Sequence, residues 1–401
     1  MAEKHFDYVI VGGGLAGASA IVAIRERDRS GSILLAGSER HLPYDRPPLS
    51  KKLWFGKKKV EEIFLQPRDF YEKNGITLEL GIKITGLDKE RKTVSDERGN
   101  SYSFGKLLLA TGGAPRTLGI PGGTLEPIYY YRYLDDYLKL RREAVEGSSA
   151  LVIGGGFIGS EVAAALNINR VDVTMLFHGP YIVDRVFPGP LGRALQARYV
   201  EKGVKIITND RPASIVWKDK RFITKTEKGN LIESDMVVIG AGITPSVELA
   251  VSAGLKVSNG IEVDGLLRTS HPDIYAAGDN AEFPYAALGM RMRVEHWDNA
   301  VKQGECAGRN MAGESARYDH MPYFFSDLFE FGYEAVGEVS SSLETFADWQ
   351  KENEKGVVYY LKDNRVRGAM MCDVWDRVDE ARRIIKEAKS FTTAGLKGLI
   401  R

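Results

Sequence analysis

The sequence predicts an α/β fold: two Rossmann-like dinucleotide-binding domains, one inserted in the other, followed by a C-terminal α+β domain. Three observations predict it. The run Val9-Ile10-Val11-Gly12-Gly13-Gly14-Leu15-Ala16-Gly17 is repeated in kind as Leu151-Val152-Ile153-Gly154-Gly155-Gly156-Phe157-Ile158-Gly159. Each copy is an apolar run, then GxGxxG, then an Ala-rich helical pattern. A second apolar run follows each, Ser32 to Ala36 and Val171 to Phe177, closing a βαβ unit of the usual length. Beyond about residue 319 the pattern changes to alternating aromatic and polar residues, Tyr323-Phe324-Phe325 and Tyr333-Glu334-Ala335-Val336.

Taken in order, the first copy places a strand before Gly12 and a helix over Ala16 to Ile24; the second places a helix over Glu161 to Leu166. Three more apolar runs end in glycine-rich turns: Leu107 to Gly113, Met236 to Gly242, and Ile274 through Gly278 to Asp279. They divide the chain into a first nucleotide domain at 1–117 and 246–318, a second at 118–245, and a C-terminal domain at 319–401. In that last domain a hairpin-bearing stretch is expected over Asn353 to Asp363 and a helix across Val374 to Ala388.

Composition narrows the function classes. Lys and Arg number 55 against 54 Asp and Glu, a formal charge of +1, so no nucleic acid partner is advertised. No apolar run approaches the roughly 18 residues that span a bilayer, and no signal or transit peptide is read. The two cysteines, Cys306 and Cys372, are too far apart for a CxxC redox pair or a cysteine-rich zinc site. They fit a reducing cytosol, so a cytoplasmic protein without a metal site is expected.

The glycine turns carry the chemistry. A turn entering a helix offers backbone N–H groups and the positive end of the helix dipole to a pyrophosphate. Gly12, Gly14 and Gly17 offer this in one copy, Gly154, Gly156 and Gly159 in the other, so two dinucleotides are expected. After the first copy, Glu39 stands where an acid would bind ribose hydroxyls, with Ser38 the rival if the register slips by one. After the second, Met175-Leu176-Phe177-His178-Gly179 contains no acid, and the usual argument for NAD over NADP fails; His178 or Arg185 would face a 2′-phosphate or merely solvent. Asp279 reads as an acceptor for a ribityl hydroxyl or as a helix N-cap. Thr111-Gly112-Gly113-Ala114-Pro115-Arg116 reads as a turn passing a flavin or as an interdomain hinge.

Together these residues resemble the FAD-dependent pyridine nucleotide oxidoreductases, and within them the apoptosis-inducing-factor-like and ferredoxin-reductase-like members. The resemblance covers nearly the whole chain. Its most specific pieces are His41 to Trp54, Ala110 to Arg116, Gly154 to Glu161, Val294-Glu295-His296-Trp297-Asp298-Asn299-Ala300, and Phe325-Ser326-Asp327-Leu328 with Gly332 to Ala335. It implies FAD and NADH as cofactors, NADPH not being excluded, with hydride passing from the nicotinamide to flavin N5. It further implies that Arg46 and Lys51 lie along the flavin and that Lys51 pairs with Glu161 beside N5, the cation favouring the anionic reduced ring. Phe157 is implied to cover the flavin and move aside for nicotinamide, and Glu295 and His296 to flank it. Thr111, Gly112, Arg116, Gly242, Gly278, Trp297 and Phe325 complete the implied cofactor-binding set. Phe325 departs from the family's tryptophan, keeping the aromatic face and losing the indole N–H. The cysteine pairs of disulfide reductases are absent, so the flavin's electrons have no thiol to reach.

The resulting expectation is an NAD(P)H-dependent flavoprotein reductase that hands electrons to a small electron-carrier protein, a quinone or oxygen. The alternative is an NADH-responsive redox sensor that holds a long-lived reduced flavin–NAD complex and changes its dimerisation as a homodimer.

Overall fold

The computed structural model describes residues 4–401. The chain folds as two compact units. Unit 1 takes the chain up to Arg46, then Val60–Ala114 and Thr244–Pro322; unit 2 takes Pro47–Lys59, Pro115–Ile243 and Tyr323–Arg401.

The core of unit 1 is a parallel sheet in the order Ile76–Leu80, Ile33–Gly37, Lys4–Val11, Ser101–Leu109, Ile274–Ala276. Its central strands are apolar on both faces because both are covered, and Val9, Leu34 and Leu107 are fully buried in register with one another. The helix after the first glycine turn, Leu15–Arg27, packs against Trp297–Met311. A Cβ on Gly304 or Gly308 would stand 2.3 or 2.4 Å from the carbonyl oxygens of Ala16 and Ala20, so the two helices meet backbone to backbone.

Unit 2 repeats the scheme. Its parallel sheet runs Lys205–Ile207, Asp172–Leu176, Ser149–Ile153, Met236–Ile239, Ile128–Tyr130, with the helix Phe157–Ile168 following the second glycine turn. That helix begins at Phe157, earlier than the Glu161 that its Ala-rich stretch suggests, because the last glycine of the motif lies inside its first turn. A three-stranded antiparallel sheet, Pro212–Lys218, Arg221–Thr226 and Leu231–Ser234, packs Ile215 and Phe222 against Leu151, Leu176 and Val237. The C-terminal part is a five-stranded antiparallel sheet, Tyr323–Leu328, Phe331–Gly337, Arg365–Cys372, Lys355–Lys362, Glu344–Lys351, backed by the helix Val378–Glu387. The expected helix thus starts four residues later than Val374. Asp373 and Asp376 take positive φ ahead of it, which delays the first helical turn. The stretch Asn353 to Asp363 holds one hairpin turn and the strand that leaves it.

Candidate functional site: two glycine turns and a buried lysine–glutamate pair

The two glycine turns share one geometry. Gly12 and Gly154 take φ of +122° and +123°, a region that side chains rarely adopt. A Cβ there would meet the Ala110 or Gly240 carbonyl oxygen at 2.0 or 2.4 Å, so each turn closes over the neighbouring parallel strand. Gly17 and Gly159 are equally pressed, onto the carbonyls of Gly12 and Gly154 at 2.2 and 2.1 Å. By contrast, a Cβ on Gly14 or Gly156 would meet nothing within 4 Å. Each is the N-cap of its helix, no side chain caps it, and neither first turn carries an acid. The open residue, the bare helix end and its dipole fit a pyrophosphate.

In unit 1 the strand ends at Gly37, which leaves Ser38 exposed and turns Glu39 inward. Glu39 accepts from the Tyr44 hydroxyl at 2.5 Å and from Arg46 Nη2 at 3.0 Å. Burial works against the Arg46 charge, but Tyr44, Glu39 and Asp279 outweigh it and hold the guanidinium pKa above its ordinary value. Asp279 starts no helix, so its reading as an N-cap is corrected: the strand Ala281–Tyr285 follows it. Arg293 donates to the Asp279 backbone carbonyl at 2.8 Å and to the Glu295 carboxylate at 2.6 Å.

His296, not Asp279, is the N-cap of Trp297–Met311. Burial lowers its pKa to about 4 against the opposing pull of Asp279 and Asp298, so the ring is neutral at physiological pH. Trp297 Nε1 donates to Asp45 at 2.9 Å, and Thr111 Oγ1 bonds the Ser246 carbonyl and the Asn280 amide. The Gly278 N–H is held by Gln303 at 2.8 Å. Sequence reasoning missed Asn280, Arg293 and Gln303. Asn280 Oδ1, Gln303 Nε2 and Arg293 Nε are buried with no hydrogen-bond partner among the described residues, as expected where a polar ligand completes the network.

Unit 2 brings Lys51 and Glu161 together at 2.9 Å, with side chains only 8% and 6% exposed. Glu161 sits one turn into the helix Phe157–Ile168, and Lys51 follows the 3-10 turn Pro47–Ser50. Two further donors reach the carboxylate, Ser50 Oγ on one oxygen and Ser326 Oγ on the other, each at 2.5 Å. Both serines lie within the quoted motifs, but no spacing rule reveals that segments 111 and 165 residues away converge on Glu161. Lys51 Nζ also lies 4.8 Å from the centre of the Phe325 ring. The segment is pinned by Trp54 Nε1, which donates to the Leu49 carbonyl and the Tyr131 hydroxyl at 2.8 and 3.1 Å. Phe157 leans on Phe324, ring centres 5.3 Å apart. Arg116 donates its backbone N–H to Gly242 and Nε to the Ile243 carbonyl, each at 3.0 Å. Both cysteines are free and buried.

Residues 6–304 match the family described as pyridine nucleotide-disulphide oxidoreductase. The chain belongs to that family. Its C-terminal part, 307–355 and 347–387, matches the C-terminal domain of mitochondrion-associated apoptosis-inducing factor. The oxidoreductase is 31% identical over 400 residues to a ferredoxin–NAD(P)(+) reductase of Sphingomonas sp, covering 99% of this chain and 96% of that one. It is 38% identical over 322 residues to a rubredoxin-NAD(+) reductase of Pseudomonas putida, covering 80% and 83%. Among solved structures it superimposes on the putidaredoxin reductase of a covalent putidaredoxin reductase–putidaredoxin complex with a TM-score of 0.89 and 30% identity, over 97% and 94% of the two chains. This oxidoreductase is an NAD(P)H-dependent flavoprotein reductase with FAD and NAD(P)H as its cofactors. No described helix is long and apolar enough to cross a membrane.

Proposed function

We propose that this reductase passes electrons from NAD(P)H through FAD to a small one-electron carrier protein. The duplicated glycine turn carries the reading: two bare helix ends, built alike, offer two pyrophosphate sites. The relatives' names, reductases of ferredoxin and rubredoxin, support the choice of acceptor. The two buried, unpaired cysteines provide no thiol relay that would favour a disulfide substrate.

On this reading residues 1–117 and 246–318 form the FAD-binding domain, 118–245 the NAD(P)H-binding domain and 319–401 the C-terminal domain. Bound FAD supplies a ring that takes a hydride at N5 from the reduced nicotinamide and gives up its electrons singly. Gly12, Gly14 and Gly17 present N–H groups to its pyrophosphate. Glu39, with two of its roughly four acceptor positions used by Tyr44 and Arg46, retains capacity for a ribose hydroxyl. Gly154, Gly156 and Gly159 hold the NAD(P)H pyrophosphate. Lys51 would lie near the reacting ring, with Glu161 as its ion-pair partner. His296, neutral at physiological pH, is the ring that would face the carboxamide. Phe157, in the first turn of its helix, would cover the flavin ring and give way to nicotinamide.

Anaerobic titration with NADH and with NADPH, followed by turnover with a ferredoxin and with ferricyanide, tests the assignment. Flavin bands that bleach and recover rapidly when carrier is added are expected. A long-wavelength band that persists in air, with a mass change on sizing and no turnover, would instead identify the redox sensor. A colourless protein that binds no FAD would overturn the proposal.

A further inference from the structure

The second nucleotide turn lacks an acid at its strand end, and the structure explains why. Phe177 is buried there, its ring so close beneath Gly155 that a Cβ on that glycine would meet it at 2.7 Å. A carboxylate at 177 would be buried under the turn instead of facing a nucleotide. Asp210 is also near, its N–H bonded to the Phe177 carbonyl, but its carboxylate is already filled by Arg211 N, Lys228 N and Asn230 Nδ2.

Asp184 is placed differently. Its carboxylate lies against the backbone of Gly179, where any Cβ would be 2.3 Å from Oδ2. No hydrogen bond or ion pair among the described residues engages it. Its loop is fastened to the glycine turn, because the preceding Val183 donates its N–H to the Gly155 carbonyl at 2.7 Å. Val183 takes φ +57°, an outlier for a β-branched residue. Strain of that kind persists where the surroundings impose it and is concentrated at functional sites. Here it is sustained by the bond to Gly155, by the burial of the Val183 side chain, and by two N–H donors, Val186 and Phe187, on the Val183 carbonyl. A partner-free carboxylate is thereby held beside the strand end at which dinucleotide folds bind the adenosine ribose.

We infer that Asp184 replaces the missing strand-end acid, accepts from the adenosine ribose hydroxyls, and makes the reductase select NADH over NADPH. This rests on the reading of the second glycine turn as the NAD(P)H site. The carboxylate accepts from a 2′-hydroxyl, whereas a 2′-phosphate brings only acceptors and like charge to the same place. His178 and Arg185, the nearby groups able to favour a phosphate, are both exposed; Arg185 is fastened through its backbone carbonyl, which accepts from Ser341 N.

The test compares the FAD-loaded wild type with Asp184→Asn and Asp184→Arg. Two readouts are used: the ratio of kcat/KM for NADH to that for NADPH, and calorimetric binding of ADP-ribose and 2′-phospho-ADP-ribose. Wild type is expected to prefer NADH. Asp184→Asn should cut the ratio by about tenfold, the scale of one hydrogen bond to a charged group, and Asp184→Arg should invert it, with ADP-ribose binding following the same order. Wild type that prefers NADPH, or a ratio unchanged in both variants while both nucleotides still bind, would overturn the assignment of Asp184. Wild type that binds neither ADP-ribose form would overturn the reading of the turn itself, and the inference with it.

Discussion

Replacing both members of the Lys51–Glu161 pair should cost far less than the sum of the two single replacements. Glu161→Leu leaves an ammonium only 8% exposed with the Phe325 ring at 4.8 Å, and strips Ser50 and Ser326 of their shared acceptor. A cation over an aromatic ring recovers about 2 kcal/mol at best, less than the ~3–5 kcal/mol lost when a buried pair is broken from one side. Lys51→Met leaves the carboxylate with two hydroxyl donors in place of three donors, and the same ~3–5 kcal/mol applies. In the double variant no charge remains buried, and the apolar side chains fill a comparable volume. Its cost should therefore fall well below the sum of the singles, with a coupling of at least about 2 kcal/mol. Thermal unfolding at a fixed excess of FAD gives the assay, since bound ligand itself raises the midpoint. For a unit of this size each single change should lower the midpoint by about 10 °C. Singles that cost under about 1 kcal/mol, or a double variant that is merely additive, would refute the claim that the pair is a buried, coupled unit.

Three further outcomes follow from the geometry. His296 has a folded pKa of about 4, below the ordinary 6.5. Between those values the unfolded chain binds the proton that the folded one refuses, so this contribution is complete above pH 6.5 and is lost as pH falls towards 4. It amounts to about 3 kcal/mol at full burial, and less for a half-buried ring; a His296→Gln variant should show a flatter loss of stability over that window in urea titrations, and identical slopes would contradict it. Gly12→Ala forces a methyl to within 2.0 Å of the Ala110 carbonyl at a φ of +122°, so the purified variant should retain roughly tenfold less FAD, read from its visible spectrum. Burial pushes the Cys306 thiol up to about 11 and raises that of Cys372 further, so neither should react with a thiol reagent at neutral pH until the protein is denatured. A thiol that titrates rapidly in the native state would argue against both burials.

What the sequence determined by itself was everything carried by local pattern. Gly12 to Gly17 and Gly154 to Gly159 specify strand, turn and helix because a backbone that closes over its neighbouring strand tolerates no side chain, and that intolerance is written as glycine at fixed spacing. The doubly covered strands are legible as unbroken apolar runs for the same local reason. The three-stranded sheet over Pro212–Ser234 was less visible, although its alternation and the paired positive φ values at Asp219 and Lys220 mark a hairpin. Only tertiary structure decided which polar groups converge. Ser50 and Ser326 meet on Glu161 from distant segments, and Asp184 reaches Gly179 through a strained valine tied to Gly155. The meeting on Glu161 depends on burial and chain crossing, and a one-dimensional spacing rule records neither; the missing strand-end acid is an absence at that position in the sequence and a carboxylate folded back onto it from farther along the same loop.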